Sequence, residues 1–287
     1  RTGADYAGKA GQLKYGSYLV PPHASMAEIV DTITAGGPST CGTEVIFRVG
    51  VRENAVVLRD LNPASGRYED RVKYDPAKEQ APEAIVQAEA KPGARLRVAV
   101  AEGTTVWQVV EGLKLAGFLD GATGPLPPEG ALAPDTYEVN RGGNRRELID
   151  RMRAAQQAIL TRAWEARPFG LPYKTPEEAL TMASIVEKET GVPDERRTVA
   201  AVFVNRMREG MRLQTDPTVI YGVTGGKEVL DRGLRRSELN RKTPYNTYQI
   251  DGLPPTPIAN PGRAAIEAAL APDESPYLYF VADGSGG

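Results

Sequence analysis

The N-terminal part of the chain alternates between short apolar runs and short amphipathic stretches. Two amphipathic stretches, PHASMAEIVDTITAGG and EGTTVWQVVEGLKLAG, align with each other at an offset of eighty residues. Both open with the S/T-x-x-E/Q pattern of a capping box, Ser25 to Glu28 and Thr105 to Gln108, so each predicts a helix start. Four runs have the composition of strands and precede or separate these helices: GSYLV, EVIFRVGV, AVVLRDL and RLRVAV.

The C-terminal half has longer amphipathic stretches, which predict longer helices. The first is expected at about 145–166. The second is expected to begin after Thr175, with Pro176 at the first helical position and Glu178 completing a capping box, and to stop at the glycine of EKETG. A third is expected at 194–210, followed by loops rich in Gly, Pro, Asn and Tyr. The aromatic and β-branched content of PYLYFVA predicts a last strand.

Two Pro-containing segments indicate the domain organisation. Residues 62–92 are polar and are expected to form a long hairpin or a solvated insertion, and ATGPLPPEGALAPDTYEV is expected to be a connector. We therefore predict an α+β fold in two parts. Residues 1–122 form a small α/β region with an insertion near 62–92, and residues 130–287 form a mixed α+β domain with a helical core and a loop-lined groove.

Composition limits the function classes. The 287 residues carry a formal net charge of −2, which gives no signal for a nucleic-acid partner. His23 and Cys41 are the only His and Cys, which excludes an internal disulfide, a Cys/His zinc site and a Ser-His-Asp triad in the C-terminal half. His23 is expected before a helix cap and Cys41 in a turn. A carboxylate-only metal site stays open, but we expect no metal and no cofactor. No apolar run reaches the roughly 18 residues of a membrane span.

The stretch ASIVEKETG places two carboxylates near the end of the second helix. On a helical wheel Glu187 and Glu189 lie on opposite flanks of a broad apolar arc, while Lys188 faces outward with Ser184 and Thr181. A flank glutamate ordinarily reaches water. A carboxyl lowered into an apolar wall would instead have a raised pKa, as a general acid working near neutral pH requires. Periodicity does not choose between the two glutamates.

Two loops of the C-terminal half are rich in amides, hydroxyls and tyrosines: MRLQTDPTVIYG and TPYNTYQIDGLPPTPIANPG. Tyr245, Asn246 and Tyr248 offer the aromatic faces and the amide that a groove uses to stack on sugar rings and bind their acetamido groups. The same prolines would also suit a rigid loop that binds nothing. Asp216 belongs to an Asp-Pro pair that is common in turns, although it could also serve as a second carboxylate.

Four ordered motifs carry a resemblance to a known family. ASIVEKET, VFVNRMREGMRLQTDPTVIYG, YNTYQIDGLPPTPIANPG and SPYLYFVADG resemble the endolytic murein transglycosylase family, also called YceG-like. APDTYEV resembles the segment that enters the catalytic domain of this family, and the N-terminal part resembles its LysM-like region. The resemblance implies a lyase that cleaves the MurNAc–GlcNAc bond within peptidoglycan strands, leaves 1,6-anhydro-MurNAc ends, and terminates or trims nascent strands.

The resemblance also implies roles for particular residues. Lytic transglycosylases place Ser after the catalytic Glu, and Glu189–Thr190 fits this pattern where Glu187–Lys188 does not, so Glu189 is expected to be the acid. The substrate-binding candidates on the two loops are Gln214, Thr215, Asp216, Tyr245, Asn246 and Tyr248. Two alternatives remain: a hydrolase of the same glycan that uses Glu189 and Asp216, and a non-catalytic peptidoglycan-binding module.

The resemblance finally implies a cellular setting. Members of the family carry an N-terminal membrane helix, so we expect a single-pass inner-membrane protein with this domain on the periplasmic side. They also continue past DGSGG with a His-containing segment and a helix, which implies that the C-terminal end is truncated here. The expected partners are peptidoglycan strands and cell-wall synthesis enzymes.

Overall fold

The structure is a computed structural model that describes residues 8–9, 23–35, 42–62, 65–91 and 94–281. The fold is mixed α+β, as the sequence predicts. The described strands are β1 (Thr43–Val49), β2 (Asn54–Asn62), β3 (Arg67–Tyr74), β4 (Arg95–Val100), β5 (Leu119–Asp120), β6 (Thr136–Val139) and β7 (Gly143–Asn144). The described α-helices are α1 (Met26–Ala35), α2 (Glu83–Ala90), α3 (Val106–Lys114), α4 (Arg145–Glu165), α5 (Pro176–Glu189), α6 (Arg196–Arg208), α7 (Asp216–Thr224), α8 (Arg236–Asn240) and α9 (Arg263–Leu270).

The first part of the chain is built on a five-stranded mixed sheet with the order β3-β2-β1-β4-β6. The central strand β1 runs parallel to β4 and antiparallel to β2, which places Val45 opposite both Leu96 and Leu58. These residues are buried with Phe47 and Val98, and they form one hydrophobic core with α2 and α3. The three strands predicted from EVIFRVGV, AVVLRDL and RLRVAV are confirmed, whereas GSYLV and Cys41 lie outside the described residues.

Both predicted capping boxes are present. Thr105 Oγ1 accepts a hydrogen bond from Gln108 N, and Gln108 Oε1 accepts one from Thr105 N, at the start of α3. Ser25 and Glu28 exchange the same pair of bonds at the start of α1. Each box satisfies backbone N–H groups that a helix start would otherwise leave without partners.

The second part of the chain is a helical core. Helices α5, α6 and α9 pack together around Met182, Ile185, Phe203 and Ile266, all nearly inaccessible to solvent. The three long helices predicted from the sequence are confirmed as α4, α5 and α6, the last preceded by a 3₁₀ turn at Pro193–Glu195. None of the helices in the described part of the chain is both long and apolar enough to cross a membrane.

Helix α4 belongs to both cores. Its N-terminal residues Leu148, Ile149 and Met152 are buried in the core of the sheet, and Leu160 near its other end is buried in the core of α5 and α6. Between them Gln156 donates from Nε2 to the carbonyl oxygens of Gly130 and Pro261, which joins the connector to the loop before α9. The 1–122 and 130–287 division stays a prediction, but the two parts share this helix.

Several local predictions are corrected. Residues 62–92 do not form a hairpin of their own, because they supply β3 alone, which pairs with the preceding strand β2. They are also not a solvated insertion throughout, because α2 buries Ile85 and Ala88 in the core of the sheet. The connector ends in β6, which pairs with β4. The segment expected to be loops contains α7, α8 and α9.

The described residues of the segment PYLYFVA, 276–281, do not form a strand. Asn205 Nδ2 donates to the carbonyls of Ser275 and Tyr277, and Arg206 Nε donates to the carbonyl of Leu278. These α6 side chains therefore occupy carbonyl oxygens that a neighbouring strand would use. The prediction from aromatic and β-branched content is wrong here because the segment lies along a helix and not at a sheet edge.

Candidate functional site

Helix α5 carries the two candidate acids, and it is buried on nearly every side. The predicted outward face is confirmed for Lys188, which is exposed, but it is wrong for Thr181 and Ser184, which are only 4% and 0% exposed. Their hydroxyls donate to carbonyls one turn back, and Ser184 Oγ also accepts from Ile258 N, so these polar groups are satisfied in the interior. At the helix start Thr175 accepts from Glu178 N as predicted, but the Glu178 carboxylate accepts from Lys174 N and not from Thr175 N.

Glu189 ends α5 on the side that faces the loop before α7. Its Oε1 accepts a hydrogen bond from Thr215 Oγ1. Burial is the largest influence and raises the pKa of this carboxyl; the Thr215 bond lowers it, the Asp216 charge raises it and the Arg206 charge lowers it. The net upward direction is what an acid that stays protonated near neutral pH requires.

A small group of polar side chains surrounds Glu189. Tyr248 Oη donates to Asp216 Oδ1 over 2.7 Å, and burial, followed by the bond to Asp216, raises the pKa of Tyr248 to about 12. Gln214 is exposed, has a positive φ of 51° and donates from its backbone N to Thr247 O. The structure therefore brings Gln214, Thr215, Asp216 and Tyr248 together at the end of α5.

Asn246 lies behind this group and does not line it. The side chain is fully buried, and its Nδ2 donates to the carbonyls of Glu238, Leu239 and Arg241 while its Oδ1 accepts from Tyr248 N. No donor is left for a sugar acetamido group, so Asn246 positions the loop that carries Tyr248.

Tyr245 belongs to a separate group. Its ring packs against Tyr221 with centroids 5.0 Å apart, and its hydroxyl shares a hydrogen bond with Thr256 Oγ1. Tyr221 Oη donates in turn to Glu129, so this group ties α7 to the connector. The structure gives Tyr245 contacts that hold the fold.

Glu187 occupies the opposite flank of α5. Its Oε2 accepts from Gly262 N over 2.9 Å at the start of α9, and its Oε1 lies 3.9 Å from Arg196 Nη2. Burial raises the pKa of Glu187 to about 7, with the Gly262 bond opposing and the Glu102 charge adding to the rise. Both glutamates thus have raised pKa values. Only Glu189 faces the exposed polar side chains of the two loops, whereas the Glu187 partners join helices.

Three residues of the site could not be identified from the sequence pattern. Thr247 Oγ1 accepts from Thr215 N over 3.0 Å and shares a hydrogen bond with Thr218 Oγ1 over 2.9 Å. Arg206 Nη1 donates to Leu213 O over 2.6 Å, which fixes the chain just before Gln214. These residues lie within the long motifs of the sequence, but a motif does not distinguish residues that line the groove from residues that support it from behind.

A cavity of about 830 Å³ lies elsewhere, between α4, the start of α5 and residues 253–257. Glu189 does not line it, and its charged lining includes Asp150 and Arg153, which pair with each other or with neighbours on α4. We assign the candidate site to Glu189 because this carboxyl has the burial and the hydrogen bonds expected of a catalytic acid. The volume of a cavity alone does not identify a catalytic group.

Comparisons with known proteins agree on one family. The model of the YceG-like family matches residues 1–287. The endolytic murein transglycosylase of Bacillus subtilis (strain 168) is 39% identical over 160 residues, which are 56% of this chain and 43% of that protein. The same-named protein of Streptococcus pneumoniae serotype 2 (strain D39 / NCTC 7466) is 36% identical over 161 residues, 54% of this chain and 28% of that protein. The chain thus spans less than half the length of these relatives.

A solved structure has a similar fold. The crystal structure of a yceG-like protein from Listeria monocytogenes superposes with a TM-score of 0.55 and 29% identity, and the match covers 74% of this chain and 78% of that one.

Proposed function

Because this chain belongs to the YceG-like family, whose model matches its full length, we propose that it is an endolytic lytic transglycosylase of peptidoglycan. Its curated relatives carry the name endolytic murein transglycosylase. The observation that carries the proposal is Glu189, a partly buried acid with a raised pKa beside the exposed polar side chains of Gln214 and Asp216.

One carboxyl suffices for this reaction. Glu189 donates its proton to the glycosidic oxygen as the bond between that oxygen and C1 of N-acetylmuramic acid breaks. The C6 hydroxyl of the same sugar then bonds to C1 and returns its proton to Glu189, which leaves a 1,6-anhydro end. Because the nucleophile is tethered, its effective concentration can reach about 10⁵ M or more, and no water has to be activated.

The rival hydrolase needs a second carboxylate, and Asp216 is the candidate. Asp216 begins α7, and its Oδ1 already accepts a hydrogen bond from Tyr248. Asp216 Oδ1 is thus already engaged by the Tyr248 hydroxyl, which suits a group that holds Tyr248 better than a base that must be free to activate water. The rival therefore remains as an outcome of the test.

The N-terminal part and the setting extend the proposal. We propose that residues 1–122 form the LysM-like region of the family and hold the glycan strand while the C-terminal part cuts it. The enzyme would act on nascent strands at the outer face of the inner membrane, near cell-wall synthesis enzymes. Support for this setting comes from the family alone.

The decisive experiment is mass spectrometry of products formed from purified glycan strands in water with labelled oxygen. A transglycosylase gives ends that are lighter by one water than hydrolytic products and carry no label. Early products of mixed intermediate length indicate internal cuts. Label at the cleaved end would reject the transglycosylase and favour the hydrolase with Asp216, and release of disaccharides alone would reject endolytic cutting.

Two matched variants identify the acid. Glu189→Gln should abolish turnover and keep the fold, because an amide has no proton to donate. Glu187→Gln lies two residues away in an equally buried position, and we expect it to retain turnover within about tenfold, since this acid contacts Gly262 and Arg196. The reverse ranking would move the catalytic role to Glu187. No turnover by the unmodified chain would favour a binding module.

A further inference from the structure

The two carboxyl oxygens of Glu189 are not equivalent. Oε1 accepts the hydrogen bond from Thr215 Oγ1, and Glu189 is the acceptor to which this hydroxyl donates. Thr215 is only 3% exposed, so water does not replace this contact. A threonine hydroxyl carries one proton, and here the proton points at Oε1.

The orientation of Thr215 is itself fixed from both sides. Its backbone N donates to Thr247 Oγ1 over 3.0 Å, and its backbone O accepts from Thr218 Oγ1 over 2.8 Å. Thr247 and Thr218 are fully buried and share a hydrogen bond of their own. This cluster of three threonines joins the loop before α7, the first turn of α7 and the loop that carries Tyr248.

We propose that Thr215 is a positioning residue that keeps the acidic proton of Glu189 on Oε2, and that Thr247 and Thr218 hold Thr215 for this purpose. The inference deepens the proposed function and rests on Glu189 being the general acid. A protonated carboxyl oxygen is a weaker acceptor, so protonation of Oε1 would weaken the bond from Thr215, whereas protonation of Oε2 leaves this bond in place. Oε2 then gives its proton to the glycosidic oxygen and later takes the proton of the C6 hydroxyl, so a single oxygen serves both steps.

The hydrogen bond from Thr215 also affects the pH at which Glu189 ionises. A hydroxyl that donates to a carboxyl stabilises the charged form more than the neutral form. The other groups that face Glu189 are Asp216, Arg206 and Tyr248, and they remain when Thr215 is changed. Removal of the Thr215 hydroxyl should therefore raise the pKa of Glu189. Because the first step needs the protonated acid, the alkaline limb of the activity profile should move to higher pH.

The test compares Thr215→Val and Thr215→Ser in the full chain. Val keeps the size and loses the hydroxyl, and Ser keeps the hydroxyl. We expect Thr215→Val to lower kcat/KM by roughly 10- to 100-fold and to move the alkaline limb up by about one pH unit. We expect Thr215→Ser to keep kcat/KM within about threefold of the wild type and to leave the alkaline limb at its wild-type position. Thr181→Val is the matched control, because it removes another buried hydroxyl of the α5 region whose bond is to Glu177 O.

Four outcomes are informative. A Val variant with wild-type rate and profile would overturn the inference. So would an equal loss in Val and Ser without movement of the limb, which indicates a purely structural role. If the Val variant is too slow for a profile, an NMR titration of the Glu189 carboxyl supplies the same shift, and no upward movement there would overturn the inference. A moved limb with labelled, hydrolytic products would support Thr215 and reject the transglycosylase.

Discussion

Replacement of Glu187 by Gln should stabilise the protein at pH 8 and make little difference at pH 5. The side chain of Glu187 is only 6% exposed, and its one close donor is Gly262 N. Burial raises its pKa from an ordinary value of 4.5 to about 7. A glutamine has nearly the same shape, can accept the same bond from Gly262 and does not ionise.

The sign follows from proton binding. Between pH 4.5 and about 7 the folded protein keeps a proton on Glu187 that the unfolded chain has released. The free energy of unfolding therefore falls as pH rises through this interval, and the stabilisation present below pH 4.5 is lost above about 7. At about 1.4 kcal/mol per pH unit, the whole interval corresponds to about 3 kcal/mol, and this shift already includes the lowering of the pKa by the Arg196 charge.

The assay is urea denaturation of the wild type and Glu187→Gln at pH 5, 6, 7 and 8. We expect the variant to be more stable by about 1–3 kcal/mol at pH 8, with the difference closing toward pH 5. Glu267→Gln on the exposed side of α9 is the control and should follow the wild type at every pH. A variant that is less stable than the wild type at pH 8 would show that the Arg196 ion pair outweighs desolvation. A stability difference between the two proteins that does not change with pH would refute the titration of Glu187 between pH 4.5 and about 7.

Three other predictions follow from contacts described above. Asn246→Ala should destabilise by about 2–4 kcal/mol in urea denaturation, because the fully buried amide bonds to three carbonyls and to Tyr248 N are lost, and a change below 0.5 kcal/mol would contradict its positioning role. Tyr248→Phe should lower turnover by about 2- to 10-fold with an unchanged melting temperature, since only the bond to Asp216 is lost; a large loss of stability would count against this reading. Residues 130–287 alone should fold but bind a hydrophobic dye, because Leu148 and Met152 lose their partners, and failure to fold beside a stable full chain would argue against two domains.

The parts of the fold that could be predicted from the sequence are those determined by residues that lie close together in the chain. The capping boxes at Ser25 and Thr105 gave two helix starts because the residues that satisfy the free N–H groups lie three positions apart in the chain. Helix α2 follows a Pro-containing stretch and buries only Ile85 and Ala88, so its pattern was too weak to detect. Helices as short as α8 depend on their tertiary neighbours for stability.

The candidate site was predictable in its residues but less so in their roles. The helical wheel placed Glu187 and Glu189 on opposite flanks of α5, and the structure gives these flanks different partners. Polar type alone suggested that Asn246 binds a ligand, whereas the direction of its side chain follows from carbonyls brought in by α8. The helical wheel placed Ser184 on the outward face with Lys188, yet a hydroxyl with partners for both donor and acceptor is stable in an interior.

Helix α4 is continuous through both cores, so it fixes the rotation of helices α5 and α6 relative to the sheet. An α-helix advances 1.5 Å and turns 100° with each residue. One residue inserted between Met152 and Leu160 would therefore rotate one buried face relative to the other by 100°. An insertion of about seven residues would nearly restore the angle but would move the two faces apart by about 10 Å along the helix axis. The number of residues between Met152 and Leu160 therefore sets both the angle and the distance between the two cores. We expect proteins with this fold to vary in loop length before they vary in the length of this part of α4.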